Sequence, residues 1–168
     1  MFKISLLLIM ILGCAQQTRS HISSSRPVQP TPAQNVSDSI VAAVLYSVAT
    51  RGLPDFRPTH TLFVKKDSDI VSSAALPSLD SVEFVLLDSA GVQQLANQIG
   101  SVNVIRVSRP TVQGDTAHAG ANSRVVWRLE RAGRLSRARF ISMSACAFRL
   151  RRANRQWQVD STLGCIIS

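Results

Sequence analysis

Residues 116–129 decide the fold: Thr-Ala-His-Ala-Gly-Ala-Asn-Ser-Arg-Val-Val-Trp-Arg-Leu. Successive side chains of a β-strand point to opposite faces of a sheet, so residues of one parity share a face. The apolar residues that share one parity in this stretch are Ala117, Ala119, Ala121, Val125, Trp127 and Leu129. This alternation predicts a half-buried strand, and the Gln113-Gly114-Asp115 turn before it predicts an antiparallel neighbour.

Other segments of the chain show the same β pattern. Further strands are predicted at residues 61–65, 81–87, 102–112, 138–150 and 157–167. Pro110 has no backbone N–H to donate, so it predicts a sheet edge or a bulge. Ala153-Asn154 is the predicted turn between the last two strands, because Asn tolerates a positive φ.

Two helices are predicted ahead of the long strands. The first begins at Ser37, a favourable N-cap residue, and ends near Thr50. The second follows the capping residue Asp88 and ends at Gly100. The predicted fold is therefore α+β, with two helices packed on one face of a curved, mainly antiparallel sheet of about four to six strands.

Cys146 and Cys165 lie in the last two predicted strands, and both are predicted to point toward the apolar face. A disulfide is favoured if the protein is exported, and two buried free thiols are the alternative. A catalytic thiol is disfavoured, because neither cysteine has an activating histidine or a CxxC partner nearby in the chain.

The predicted register separates these two cysteines. A two-residue turn at Ala153-Asn154 places Cys146 opposite Ser161, roughly 13 Å along the strand from Cys165. A disulfide requires Cα atoms within about 7 Å of each other. A bulge, or a longer loop near Arg155-Gln156, would bring the two cysteines together.

The chain is strongly basic, with 19 Lys and Arg residues against 10 acidic residues. Ten arginines lie between Arg124 and Arg155, where Glu130 is the one acidic residue. The four that share a predicted strand face are Arg137, Arg139, Arg149 and Arg151. They predict a patch for anionic ligands such as phosphate groups; the alternative is a solvated face that reflects the arginine codons of a GC-rich genome.

The start of the chain, Met1 to Cys14, has the layout of a secretory signal peptide. Lys3 supplies the charge, and the apolar run of residues 4–12 is shorter than the roughly 20 residues of a membrane-spanning helix. The end of this segment, Ile11-Leu12-Gly13-Cys14, resembles the lipobox of bacterial lipoproteins. Leu12 is bulkier than the usual Ala or Ser at its position.

This resemblance implies cleavage before Cys14, lipidation of its sulfur and acylation of its new amino group. The predicted domains are a signal peptide at 1–13, the lipidated cysteine with a disordered Ser/Pro/Gln tether at 14–36, and one α+β domain at 37–168. Ala15 replaces the Asp of inner-membrane retention signals, which favours an outer-membrane anchor in the cell envelope. The alternative is a freely secreted protein cut beyond Cys14.

The predicted domain also resembles the cone-shaped domains of the nuclear-transport-factor superfamily. The residues that carry this likeness are the helix at 37–50, the late strands and Trp157. Having only one helix before the first strand is a departure from that superfamily. The resemblance implies a curved sheet, inside which such domains often hold a small-molecule pocket.

Motifs for known chemistries are absent from the sequence. His21, His60 and His118 lack metal-ligand spacing, and there is no Gly-x-Ser-x-Gly, Walker or Rossmann signature. We therefore expect no catalytic residues, no metal and no cofactor. Nucleic-acid binding is disfavoured by export and by the shortage of surface aromatics.

The leading functional prediction is an exported, membrane-anchored lipoprotein whose domain is a non-catalytic binding or structural module of the cell envelope. A small-molecule-binding or enzymatic domain with a pocket inside the sheet is one alternative. Binding of polyanions or anionic lipids through the arginine face is the other. A filled core would favour the module, and the aromatic residues expected in it are Trp127, Phe140, Phe148 and Trp157.

Overall fold

Helix α1, Pro32–Arg51, opens the computed structural model, which describes residues 32–67, 70–128 and 143–168. The helix begins at Pro32 rather than at the predicted Ser37, so the last residues assigned to the tether are helical. Proline is compatible with a first helical turn, where its missing N–H would have no partner. Val36, one turn further along the helix, packs against the core and supports the longer helix.

One open sheet of seven strands forms the rest of the framework, with the order β2-β1-β3-β5-β6-β7 and with β4 paired to β5. The strands are β1 (Thr61–Lys65), β2 (Glu83–Leu87), β3 (Ser101–Val107), β4 (Thr111–Gln113), β5 (Thr116–Trp127), β6 (Ser144–Ala153) and β7 (Gln156–Ile167). β1 runs parallel to β2 and to β3, and the other pairings are antiparallel.

The predicted single strand at 102–112 is divided into β3 and the short β4. Pro110 lies between these strands, where its missing N–H costs no ladder hydrogen bond. Among the described strands β4 pairs with β5 alone, so the expectation of a sheet edge near this proline is confirmed.

Helix α2, Ser89–Ile99, has the predicted caps at both ends. The Gly91 backbone N–H donates to the Asp88 carboxylate over 2.7 Å, which satisfies one of the free donors of the first turn. Gly100 ends the helix with a φ of 96°, a backbone conformation that costs glycine little.

The sheet has a helix on each face. Helix α1 buries its apolar side against odd-numbered residues of β3 and β5, including Ile105, Val107 and Ala119. Helix α2 packs on the opposite face, where Val102 and Val104 of β3 are buried. We call these surfaces the α1 face and the α2 face.

The α+β class, the two helices and the mainly antiparallel sheet are thus confirmed, with seven strands in place of four to six. The placement of both helices on one face is not observed. Strand β3 explains the difference. Its apolar side chains point to both faces of the sheet, so each face needs a helix to shield it from water.

The β6–β7 hairpin turns at Asn154-Arg155, one residue later than predicted, with positive φ angles of 51° and 64°. Two register shifts follow, one between Arg149 and Leu150 and one between Ala147 and Phe148. Each shift adds one extra residue to β7, so the ladder advances by two positions before it reaches the cysteines.

Cys165 consequently lies opposite Cys146, and the two form a disulfide with their Cα atoms 4.1 Å apart. The bridge is confirmed, and of the two arrangements that would bring the cysteines together, bulges in the ladder are the one observed. The alternative of two free thiols is excluded.

A pair of serine hydroxyls offers a test of the core. Ser123 and Ser144 are both buried, and their Oγ atoms are 2.9 Å apart. Ser123→Ala should lower the free energy of unfolding by about 1–3 kcal/mol, because the Ser144 hydroxyl loses its buried partner. Adding Ser144→Ala should recover part of that loss, as measured by urea denaturation. If the double variant lost as much free energy of unfolding as the two single variants lose together, that result would contradict the pairing.

Candidate functional site

Arg149 and Arg151 of the predicted anion-binding patch both lie exposed on β6. Their parity is opposite to that of the buried Cys146, Phe148 and Leu150, so they belong to the α2 face, beyond the area that helix α2 covers. Arg137 and Arg139, the other two members of the predicted patch, lie outside the described residues, as do Cys14 and the predicted signal peptide.

The strand register places further basic residues near Arg149 and Arg151. His118 of β5 is directly opposite Arg149, whereas Arg151 is opposite the uncharged Thr116. Arg106 of β3 and Arg124 of β5 share the same parity and are exposed. We call the group Arg106, His118, Arg124, Arg149 and Arg151 the basic face. The even parity of Arg106 within an apolar strand was the available signal for it.

Arg149 is already paired within the molecule. Its Nε and Nη2 atoms both donate to the Asp160 carboxylate, over 2.9 and 2.7 Å. Asp160 is the residue that the first bulge adds to β7, which is how this carboxylate comes to lie beside β6. An exposed pair of this kind contributes little to stability, but it lowers the positive charge that the basic face offers to a ligand.

A second feature lies on the α1 face, where the end of helix α1 meets the disulfide. A cavity of about 210 Å³ opens there, lined by residues that include Ser47, Arg51, Leu53, Arg57, Cys146 and Cys165. We call it the disulfide cavity. Within the described residues, neither the Arg51 nor the Arg57 side chain has a hydrogen bond or an ion pair.

Another cavity, of about 350 Å³, lies where the pairing of β1 with β3 stops short of Ser101. Its lining includes Asp55, Thr61 and Asn103, and the Asn103 Oδ1 atom is buried without a hydrogen-bond partner in the structure. Drug-sized ligands usually occupy pockets of about 300–1,000 Å³ that enclose most of their surface. Both cavities here open to solvent; the disulfide cavity is smaller than that range, and the second cavity lies near its lower end.

Of the aromatic residues expected in a filled core, two are buried there and one is exposed. Phe148 and Trp157 are buried in the core under helix α1, whereas the side chain of Trp127 is 45% exposed. Phe140 lies outside the described residues. The interior of the sheet is therefore occupied by side chains near Phe148 and Trp157 rather than by a deep pocket.

The described ranges lack two further features. No group of three or more His, Cys, Asp or Glu side chains there is arranged to hold a metal ion. Within the same ranges, no helix has both the length and the apolar character that crossing a bilayer requires.

Comparisons of the chain with protein-family models, with curated proteins and with solved structures gave no match. The resemblances to lipoprotein signals and to cone-shaped domains therefore stay predictions from the sequence.

The disulfide closes a loop with a sequence separation of 19 residues. Replacing both cysteines by alanine should lower the free energy of unfolding by about 3 kcal/mol, because the unfolded chain regains the entropy of that loop. Urea denaturation of the oxidised parent and the Cys146→Ala/Cys165→Ala variant measures the difference. Equal midpoints and slopes would show that the bridge does not constrain the unfolded chain.

Proposed function

We propose that this chain is an exported lipoprotein, anchored through Cys14, whose domain is a non-catalytic binding or structural module of the cell envelope. The observation that carries the proposal is the segment Ile11-Leu12-Gly13-Cys14 at the end of a signal-like apolar run. Acyl chains on Cys14 and on its amino group would together give stable membrane attachment, which a single chain does not.

Two observations from the domain support a module over an enzyme. The aromatic side chains of Phe148 and Trp157 fill the space between the sheet and helix α1. The two cavities open to solvent and lie below or near the lower end of the usual size range of ligand pockets, and in the described residues they are not accompanied by a metal-ligating cluster. A surface-acting module needs neither a deep pocket nor a catalytic group.

The anchor can be tested by intact mass spectrometry of protein extracted from the membranes of a bacterial host. We expect a mass equal to residues 14–168 plus acyl chains, less two hydrogens for the disulfide. The Cys14→Ala variant should remain unacylated and should leave the membrane fraction. An unmodified, freely soluble parent chain would contradict the lipoprotein proposal and would leave a secreted domain.

Binding of anionic lipids or other polyanions through the basic face is a second candidate function. It is favoured because Arg106, Arg149 and Arg151 share one face of the sheet, on the strands β3 and β6 that flank β5. Guanidinium groups bind phosphate through paired hydrogen bonds, and envelope lipids present phosphates in a plane.

Vesicle retention tests this second function with the non-acylated Cys14→Ser protein. Replacing Arg106, Arg149 and Arg151 by glutamine should abolish salt-sensitive retention on vesicles that contain phosphatidylglycerol. A control with the same net charge carries Arg51→Gln, Arg57→Gln and Arg152→Gln and should be retained. Equal losses in both triple variants would mean that net charge, rather than the basic face, causes retention.

A further inference from the structure

The disulfide cavity brings a reactive bond and two positive charges together. Arg51 ends helix α1, and Arg57 lies in the loop that follows it. Both arginines line the same small cavity as Cys146 and Cys165, although the cysteines are about a hundred residues away in the chain. The fold therefore creates this juxtaposition, and no sequence motif records it.

The two cysteine residues differ in their exposure to solvent. Cys146 belongs to the inner strand β6 and is 6% exposed, whereas Cys165 is exposed on β7. In the described part of the chain, β7 pairs with β6 only and forms one edge of the sheet. A small molecule that enters the cavity from solvent therefore reaches the sulfur of Cys165 more easily.

The guanidinium groups at the cavity are available to a ligand. Arg149 on the opposite face is neutralised by Asp160, but Arg51 and Arg57 have no such partner among the described residues. Positive charge beside a disulfide attracts an anionic thiol and stabilises the thiolate that leaves when the bond is broken. Ser47 and Thr162, whose side chains carry hydroxyl groups, also line the cavity.

We propose that the disulfide cavity is a site of thiol–disulfide exchange, selective for small thiols that carry a negative charge. The thiolate of the small molecule attacks Cys165 Sγ, and a mixed disulfide forms as the Cys146–Cys165 bond breaks. The electron pair of the broken bond stays on Cys146 Sγ, which takes a proton from water. A second thiolate attacks the small-molecule sulfur of the mixed disulfide, and the small molecule is released as its own disulfide. The electron pair of the broken bond stays on Cys165 Sγ, which takes a proton from water, so both cysteines are left reduced.

The domain retains a framework for this reaction after reduction. The β6–β7 ladder continues from Phe148–Thr162 to the turn at Asn154-Arg155, and Phe148 and Trp157 of this ladder are in the core. Reduction therefore breaks the covalent link and leaves these ladder and core contacts in place. We expect the reduced protein to keep its circular dichroism spectrum at 25 °C.

A series of small thiols of different charge tests the proposal on the non-acylated Cys14→Ser protein. The thiols are 2-mercaptoethanesulfonate, 2-mercaptoethanol and cysteamine, which are anionic, neutral and cationic. Each rate of reduction is divided by the rate of the same thiol with an uncharged model disulfide, which cancels differences in intrinsic reactivity. The normalised rate for the anionic thiol should exceed that for the cationic thiol roughly tenfold at low ionic strength.

Matched variants test whether the arginines at the disulfide cavity cause this charge selectivity. Arg51→Gln with Arg57→Gln should remove most of this selectivity, whereas Arg106→Gln with Arg151→Gln removes the same charge from the other face and should preserve it. Equal normalised rates for the three thiols in the parent protein would overturn the proposal, as would equal losses in both double variants. Reduction only after addition of urea would also overturn it, because the site would then be closed in the folded protein. These outcomes do not depend on the lipid anchor, which mass spectrometry tests separately.

Discussion

The alternation of side chains along β5 is the constraint on which the rest of the structure depends. Ala117, Ala119 and Ala121 point to the α1 face, and their small size leaves room for the larger side chains of helix α1. The residues between them necessarily point away from that helix, which places His118 and Asn122 on the α2 face. β5 pairs with β3, β4 and β6, and directly paired residues share a face of the sheet. The alternation along β5 therefore matches that of these three neighbouring strands.

The same alternation explains why β7 has two bulges rather than one. A single extra residue would reverse the face of every following side chain, and Cys165 would then point away from Cys146. The second extra residue restores the original parity and also brings the two cysteines into register. The first bulge has an additional effect, because its extra residue, Asp160, reaches Arg149 on the α2 face.

The distribution of charge that results differs from the one that a count of arginines suggests. The basic face has the larger number of cations, but the Arg149 guanidinium is occupied by Asp160. Among the described residues that line the disulfide cavity, the cations are Arg51 and Arg57, and neither is paired within that part of the chain. For binding a small anion, unpaired guanidinium groups beside a cavity matter more than the number of arginines on an open surface. For contact with an extended anionic surface, the basic face is the better match.

The sequence by itself determined the local structure of this protein. Period-two patterns located β1, β2, β5 and the late strands, and the caps Asp88 and Gly100 located helix α2, because these signals depend only on neighbouring residues. The two-faced pattern of β3 was also present in Val104 and Ile105, but interpreting it required knowledge of what covers each side. The register of β7, the Arg149–Asp160 pair and the meeting of Arg51 and Arg57 with the disulfide were decided only by the tertiary structure. Each of these depends on contacts between residues far apart in the chain, and on bulges whose positions follow from packing rather than from any local signal.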